Sequence, residues 1–144
     1  MVKISLTLDA ADPLRLAEFW TAALGYVAAP PPAGWASWET WLRDMDVPEA
    51  EWNDGAAIVD PAGDGPSISI VRVPEPKSAK NRLHLDIHAT PGRHLEAAAR
   101  ATLIDAKVAE LLAIGGSVVE RHCVADVLDH VVLRDPEGNE FCIV

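Results

Sequence analysis

The chain has 144 residues, of which 49% are hydrophobic, the size of one domain or of two half-domains that share a core. Twelve basic residues stand against twenty-two acidic ones, for a formal charge of −10, so we expect no nucleic-acid or membrane partner. Neither a signal peptide nor a membrane-spanning run is present, which predicts a cytoplasmic protein. Two cysteines, Cys123 and Cys142, are too few for a disulfide framework and are expected to be free thiols.

The first half of the chain begins with an alternating strand and an amphipathic helix. Apolar and polar residues alternate over residues 3–9, as in a half-buried strand. Asp12 then offers an N-cap, Pro13 suits the first helical position, and Gly25 supplies a left-handed C-cap. The predicted apolar stripe of this helix comprises Leu16, Phe19, Trp20, Ala23 and Leu24. Short strands are predicted at residues 26–29, 56–59 and 67–73.

Four of the five tryptophans lie in the least regular region, residues 34–53. Trp35, Trp38 and Trp41 are spaced by three, so on a helical turn they would form one aromatic face. With Trp52, they would either roof a pocket and stack on a flat ligand, or seal this segment against the domain. The spacing alone leaves both interpretations open.

The second half opens on the most informative stretch, residues 82–88, which read Arg-Leu-His-Leu-Asp-Ile-His. Its apolar residues alternate with His84, Asp86 and His88, so a strand here would present two imidazoles and a carboxylate on one face. Such groups bind metals, move protons or hold ligands, and the plain alternative is a solvated strand face. A helix is predicted over residues 95–114, with Ile104, Val108, Leu111 and Leu112 buried. Further strands are predicted at residues 118–122, 129–134 and 139–144.

The two halves share one order of elements, which predicts an internal repeat. Each has an alternating strand, a helix ended by glycine and three strands, the last two joined by an Asp-Pro-x-Gly turn. A shift of 79 residues places Ser5 on His84. The same shift places Thr7 on Asp86. We therefore predict an α+β fold of two βαβββ modules that form a curved mixed sheet around a cavity, with helices on the outer faces.

Taken together, the motifs of the chain resemble the glyoxalase/bleomycin-resistance/dioxygenase superfamily, the vicinal oxygen chelate proteins, and within it the glyoxalase-like branch. The resemblance depends on the order and spacing of Asp12-Pro13, Phe19-Trp20, Leu24-Gly25, Trp52-Asn53-Asp54-Gly55, Val73-Pro74-Glu75-Pro76-Lys77, Lys80-Asn81-Arg82-Leu83-His84-Leu85-Asp86 and Asp135-Pro136-Glu137-Gly138-Asn139-Glu140-Phe141-Cys142. It implies a single glyoxalase-like domain over residues 1–144, with modules at about 1–76 and 80–144. It also implies a homodimer, since pairing of modules across chains is frequent in that superfamily.

Enzymes of the resembled superfamily hold one divalent metal with an inward residue on the first and last strands of each half, usually His or Gln, Glu, His and Glu. By position this chain offers Ser5, Ser69 or Val71, His84 and Cys142. Only His84 matches that set, and serine or valine contributes little to a metal site. We therefore expect no cofactor. If a divalent metal does bind, the expected ligands are His84, Glu140 and Cys142.

The other candidate residues concern ligand binding and proton transfer. His84 and Asp86 can form an acid/base pair, with Glu140 as a third catalytic candidate, or His84 can be a buried histidine that hydrogen-bonds in the cavity. Cys142 is either a nucleophile or a buried thiol, and alternation does not decide which way His130 faces. The predicted ligand-binding residues are Ser5, Thr7, Trp35, Trp38, Trp41, Trp52, Ser69, Val71, His84, Asp86 and Cys142. A basic cluster of Arg72, Lys77, Lys80 and Arg82 would either receive a carboxylate or phosphate or be scattered solvated charge.

The preferred function is a glyoxalase-like protein that binds a small organic ligand in the cavity, or acts on it without a metal. One alternative is a metal-dependent lyase or dioxygenase with a non-standard ligand set centred on His84. Another is a resistance-type protein that sequesters a drug, and the negative charge would suit a cationic one. The residues leave open whether the protein is an enzyme.

Overall fold

A computed structural model describes residues 2–144, which divide into two compact units with a boundary between Pro76 and Lys77. Each unit is a four-stranded mixed sheet with a long helix packed on one side. The predicted α+β fold of two βαβββ modules is confirmed, with the strands in two separate four-stranded sheets. No helix within residues 2–144 is long and apolar enough to cross a membrane.

The N-terminal module has its strands in the order β1-β4-β3-β2. Its elements are β1 (Ser5–Ala10), α1 (Pro13–Leu24), β2 (Val27–Ala28), α2 (Trp38–Asp44), β3 (Gly55–Val59) and β4 (Ser67–Arg72), with a short 3-10 turn at Glu49–Glu51 between α2 and β3. β1 runs parallel to β4, and the other pairs are antiparallel. The parallel pair thus consists of the first and last strands of the module. Helix α1 connects β1 to β2.

The predicted caps and apolar stripe of α1 are confirmed. The carboxylate of Asp12 accepts a hydrogen bond from the Arg15 backbone N–H at 3.3 Å, and Gly25 ends the helix at φ +70°. The buried side chains of α1 are Pro13, Leu16, Phe19, Trp20 and Ala23, and the sheet side of this core includes Ile58, Ile68 and Ile70. The helix therefore covers one side of the N-terminal sheet and leaves the other side free.

Asn53 ties the tryptophan-rich segment to the start of α1. Its side-chain oxygen accepts from the Leu14 backbone N–H at 2.9 Å, and its Nδ2 donates to Asp12 at 2.8 Å. That bond is the largest reason why the pKa of Asp12 lies below its usual value. Two of the motifs on which the family resemblance depends are thus in direct contact.

The C-terminal module repeats the topology of the first. Its elements are β5 (Asp86–Ile87), α3 (Ala97–Ala113), β6 (Ser117–Val124), β7 (Val127–Arg134) and β8 (Glu140–Ile143). The strand order is β5-β8-β7-β6, with β5 parallel to β8. First and last strands are therefore neighbours in both modules, as the predicted repeat requires.

The strand predicted over residues 82–88 is the main correction to the fold. Only Asp86–Ile87 is a strand, and Leu83 is 68% exposed. The pairing of Asp86 with Cys142 would place residue 82 opposite Gly138, which lies in a turn before β8 begins. Residue types alternate over the whole stretch, but residues 82 and 83 have no partner in β8, and His84 and Leu85, which lie opposite Glu140 and Phe141, are outside β5 as well.

The buried stripe of α3 also differs at one position. Ile104, Val108 and Leu111 are buried as predicted, whereas Leu112 is 43% exposed. Arg100 takes the fourth buried place, because its guanidinium lies 3.4 Å from the carbonyl oxygen of Asp129, to which it donates. Asp129 of β7, whose carboxylate also lies 3.9 Å from the guanidinium, thus compensates the buried charge.

Candidate functional site

The side of the C-terminal sheet that α3 leaves uncovered carries polar side chains. On the covered side, Val131, Leu133, Phe141 and Ile143 are almost completely buried. Side chains alternate along a strand, so the intervening residues of β7 and β8 point to the other side. We call this side the open face of the C-terminal sheet. It presents His130, Val132, Arg134, Glu140 and Cys142, together with Asp86, which pairs with Cys142.

Glu140 lies at the centre of a group of cations on this face. Its side chain is only 9% exposed, and its Oε2 accepts a hydrogen bond from Lys80 Nζ at 2.7 Å. His84 Nε2 lies 3.8 Å from the same oxygen, and Arg134 Nη2 lies 3.7 Å from Oε1. The backbone N–H of Glu140 donates to Asn81 Oδ1 at 3.3 Å. The Lys80 bond lowers the pKa of Glu140 below its usual value, against the opposing effect of burial, so the carboxylate is ionised at neutral pH.

Cys142 lies beside Asp86 on the open face and is half-buried. Burial raises the pKa of its thiol, and the neighbouring Asp86 carboxylate raises it further. The thiol therefore keeps its proton at neutral pH, which makes it a poor nucleophile. Of the two interpretations of Cys142, this environment favours the plain thiol.

The direction of His130, which alternation leaves undecided, is given by the strand register. His130 pairs with His122 across β6 and β7, and the two rings are 4.8 Å apart on the open face. His130 Nδ1 also lies 3.0 Å from Asp129 Oδ2, a bond that lowers the pKa of Asp129. His88 is exposed and follows the end of β5.

The N-terminal module carries hydroxyl groups at the corresponding positions. Ser5 pairs with Ser67 and Thr7 with Ser69 on the side that α1 leaves uncovered, and Val71 lies further along the same side. By topology, the pair Thr7 and Ser69 corresponds to Asp86 and Cys142. Ser67, which was not predicted as a site residue, therefore occupies the position that Glu140 has in the second module. The ligand-binding role of these residues stays a prediction.

Three tryptophans of the tryptophan-rich segment are held by hydrogen bonds inside the N-terminal module. Trp35 Nε1 donates to Asp44 at 2.8 Å, Trp38 Nε1 to the Ala29 carbonyl at 2.7 Å, and Trp52 Nε1 to the Val47 carbonyl at 3.0 Å. Trp38 and Trp41 pack edge to face on α2 with ring centroids 5.5 Å apart. The predicted helical face of three is wrong for Trp35, because Ser37 caps α2 and the helix begins at Trp38. These bonds favour the sealing interpretation, and ligand contact stays a prediction.

The side chains proposed as metal ligands do not fit that role. Across residues 2–144, no three side chains of His, Cys, Asp or Glu are arranged to hold a metal ion. Glu140 accepts a hydrogen bond from the ammonium of Lys80, and burial raises the pKa of the Cys142 thiol. His84 therefore has no complete ligand set around it.

A cavity of about 360 Å³ lies next to Glu140. Its volume falls within the range of small-molecule sites. The residues that line it are Lys77, Ser78, Ala79, Lys80, Arg134, Glu137, Gly138 and Glu140. Sequence reasoning selected Glu140 and noted Lys77 and Lys80 only as part of a basic cluster; it did not identify Arg134. Of that cluster, Arg72 instead pairs with Asp54 at 2.8 Å.

Glu140 should make the stability of the protein depend on pH in acid. Its pKa is about 4.5 when unperturbed and lower in the fold, so its stabilising effect is complete above about pH 4.5 and is lost as pH falls through the folded value. Urea unfolding of the protein and of Glu140→Gln should therefore differ by a constant amount between about pH 6 and 8, and the difference should shrink towards about pH 3. A difference that is independent of pH would show that the ionised carboxylate does not stabilise the fold.

Comparison with known proteins agrees with this topology. The family model of the glyoxalase-like domain matches residues 5–144. The fold is similar to a glyoxalase/bleomycin resistance protein/dioxygenase family enzyme from Burkholderia phytofirmans, with a TM-score of 0.60, 13% identity, and coverage of 96% of this chain and 94% of that one. It is also similar to a possible glyoxalase from Bacillus cereus, with a TM-score of 0.60, 15% identity, and coverage of 100% and 98%.

A third similar structure is the fosfomycin resistance protein FosX from Mesorhizobium loti, with a TM-score of 0.58, 10% identity, and coverage of 99% of this chain and 92% of that one. At these identities the likeness shows the fold alone. The search of the curated proteins finds no match.

Proposed function

Because this chain belongs to the glyoxalase-like domain family, of the vicinal oxygen chelate superfamily, we propose that it binds a small organic ligand, or acts on one, without a divalent metal. The open face of the C-terminal sheet supports this proposal, since it brings an imidazole, two carboxylates and a thiol onto one surface. A cavity of ligand size adjoins these groups.

The observation that carries the proposal is the ion pair between Lys80 and Glu140. At 2.7 Å, the ammonium takes the place next to the carboxylate that a metal cation would otherwise need. An ammonium neutralises the buried carboxylate but offers no open coordination position. A ligand at this site is therefore oriented by hydrogen bonds and charge instead of by coordination.

His84 is the residue in this proposal that can hold or move a proton. Its Nε2 lies 3.8 Å from Glu140 Oε2, and its side chain is 30% exposed, so a ligand can reach the ring. An imidazole nitrogen can accept or donate a proton, which is the chemistry of a general acid or base. His84 is thus the candidate acid/base, with Glu140 as its charge partner and Asp86 two residues away along the chain.

Metal analysis tests the first half of the proposal. Purified protein should hold far less than about one divalent metal per chain, and added zinc, nickel or manganese should leave the melting temperature unchanged. Lys80→Ala should gain affinity for these ions, because it exposes the Glu140 and His84 side chains, whereas Arg82→Ala should not. One metal per chain in the unaltered protein, lost in His84→Ala, would contradict the proposal.

A ligand screen tests the second half. Organic acids, alcohols and amines are added to the protein at millimolar concentration, and binding is followed by the rise in melting temperature. A saturable binder whose affinity falls in His84→Ala supports the proposal. If no compound in such a panel shifts the transition, the binding role is wrong.

A further inference from the structure

We propose that the cavity beside Glu140 receives the anionic group of the ligand, a carboxylate or a phosphate. This inference depends on the proposed function and adds to it the chemical class of the ligand. It also sets this chain apart from a protein that sequesters a cationic drug, the use that overall charge alone would favour.

Positive side chains are concentrated at this cavity. Lys77, Lys80 and Arg134 line it, and they are three of only twelve basic residues in a chain with a formal charge of −10. Elsewhere Arg43 pairs with Glu39 and Arg72 with Asp54, one cation to one carboxylate, whereas at this cavity Lys80 and Arg134 share Glu140. A local excess of cations in an acidic protein is a specific feature of this cavity and not a consequence of composition.

The acidic residues of the cavity do not cancel this charge. Two carboxylates, Glu137 and Glu140, stand against the three cations, which leaves one positive charge in excess. Glu140 is largely buried and its charge is balanced mainly by Lys80, which leaves Lys77 and Arg134 against Glu137. An anion that enters the cavity therefore meets the cations more directly than the buried carboxylate.

Arg134 is well suited to hold an oxyanion. Its contact with Glu140 Oε1 is 3.7 Å, which is longer than a hydrogen bond, and its side chain is 51% exposed. The guanidinium fork therefore keeps its geometry for a two-point contact with carboxylate or phosphate oxygens. Ser78 adds a hydroxyl to the same wall.

The size of the cavity indicates an organic anion instead of a bare inorganic one. A volume of about 360 Å³ accommodates a ring or a short chain in addition to the charged group. His84 does not line the cavity, but its Nε2 lies 3.8 Å from Oε2 of Glu140, which does, so the remaining atoms of a ligand held by its anionic end can extend towards the imidazole.

Three ring-matched probes separate charge from shape: benzoate, phenyl phosphate and benzamide. Isothermal titration at constant ionic strength should show saturable binding of one or both anions, and benzamide should bind at least about tenfold more weakly. Preference between the two anions identifies which oxyanion fits. Equal affinity for benzamide and both anions would overturn the inference.

Variants then assign the effect to the cavity. Arg134→Gln and Lys77→Gln should each lower the affinity for the preferred anion by about tenfold. The control is Arg82→Gln, which makes the same change in net charge at a residue that does not line the cavity and should leave the affinity unchanged. Glu140→Gln should strengthen anion binding several-fold, because it frees Lys80 and removes a negative charge. An increase in anion affinity cannot result from general damage to the fold, because such damage would weaken binding.

The failure of this inference is distinguishable from the failure of the proposed function. If compounds from the wider panel bind but Arg134→Gln leaves their affinity unchanged, only the anion site is wrong. If neither the panel nor the three probes bind, the proposed function itself is wrong.

Discussion

Replacing Trp20 with alanine should lower the free energy of unfolding of the N-terminal module by about 4 kcal/mol. Trp20 is 1% exposed and packs edge to face on Phe19, with ring centroids 5.7 Å apart. Its removal leaves a large cavity between α1 and the sheet, and this cavity adds to the loss of buried apolar area. Urea unfolding followed by circular dichroism measures the effect.

Trp38→Ala is the matched control for this change. Trp38 is 40% exposed and donates one hydrogen bond to the Ala29 carbonyl. Its replacement by alanine should therefore lower the free energy of unfolding by about 1 kcal/mol or less. A cost near that of Trp20→Ala would mean that the tryptophan-rich segment belongs to the core of the module. In that case its aromatic faces would not be available to a ligand.

The parts of the fold that could be predicted are those with local signals. Asp12, Pro13 and Gly25 mark the ends of α1 by backbone chemistry that operates within four residues. The Asp-Pro-x-Gly turns are local in the same sense, because Gly63 and Gly138 both adopt positive φ in them. Both halves of the chain carry such local signals in the same order, which was enough to predict the internal repeat.

The predictions that were wrong concern features that depend on partners distant in sequence. In the register of β5 with β8, residues 82 and 83 lie opposite residues 138 and 139, which belong to the turn that Asp135 organises and not to β8. Similarly, a basic residue such as Arg100 is buried only because Asp129 lies across from it. The alternation of apolar and polar residues along the sequence carries no information on the strand that pairs with β5 or on the partner of Arg100.

The candidate site shows the same division. His84 and Glu140 could be selected from strand alternation and from the family resemblance, and they do lie together. The bond between Lys80 and Glu140, on which the proposed metal-free function depends, joins residues sixty positions apart. His122 was missed, although it lies opposite His130 in a hairpin whose turn at residues 125–126 was the available signal.

The C-terminal module should be strongly destabilised by Asp135→Ala, by about 3 kcal/mol. Asp135 is 3% exposed, and its carboxylate accepts from the backbone N–H groups of Glu137 and Asn139 and from Asn139 Nδ2, at 2.9 to 3.0 Å. Alanine leaves these donors without their acceptor in a place that water reaches poorly. Asp135→Asn keeps part of this acceptor capacity and should cost less.

The repeat supplies the control for this last change. Asp60 begins the matching turn of the N-terminal module and accepts from the backbone N–H groups of Ala62, Asp64 and Gly65, but this turn is more exposed. Water can replace a lost acceptor there, so Asp60→Ala should destabilise the protein less than Asp135→Ala. Urea unfolding of both variants measures the difference. Equal costs would show that the turns act through local backbone geometry, whereas the expected difference assigns the effect at Asp135 to burial beside the strand that carries Glu140.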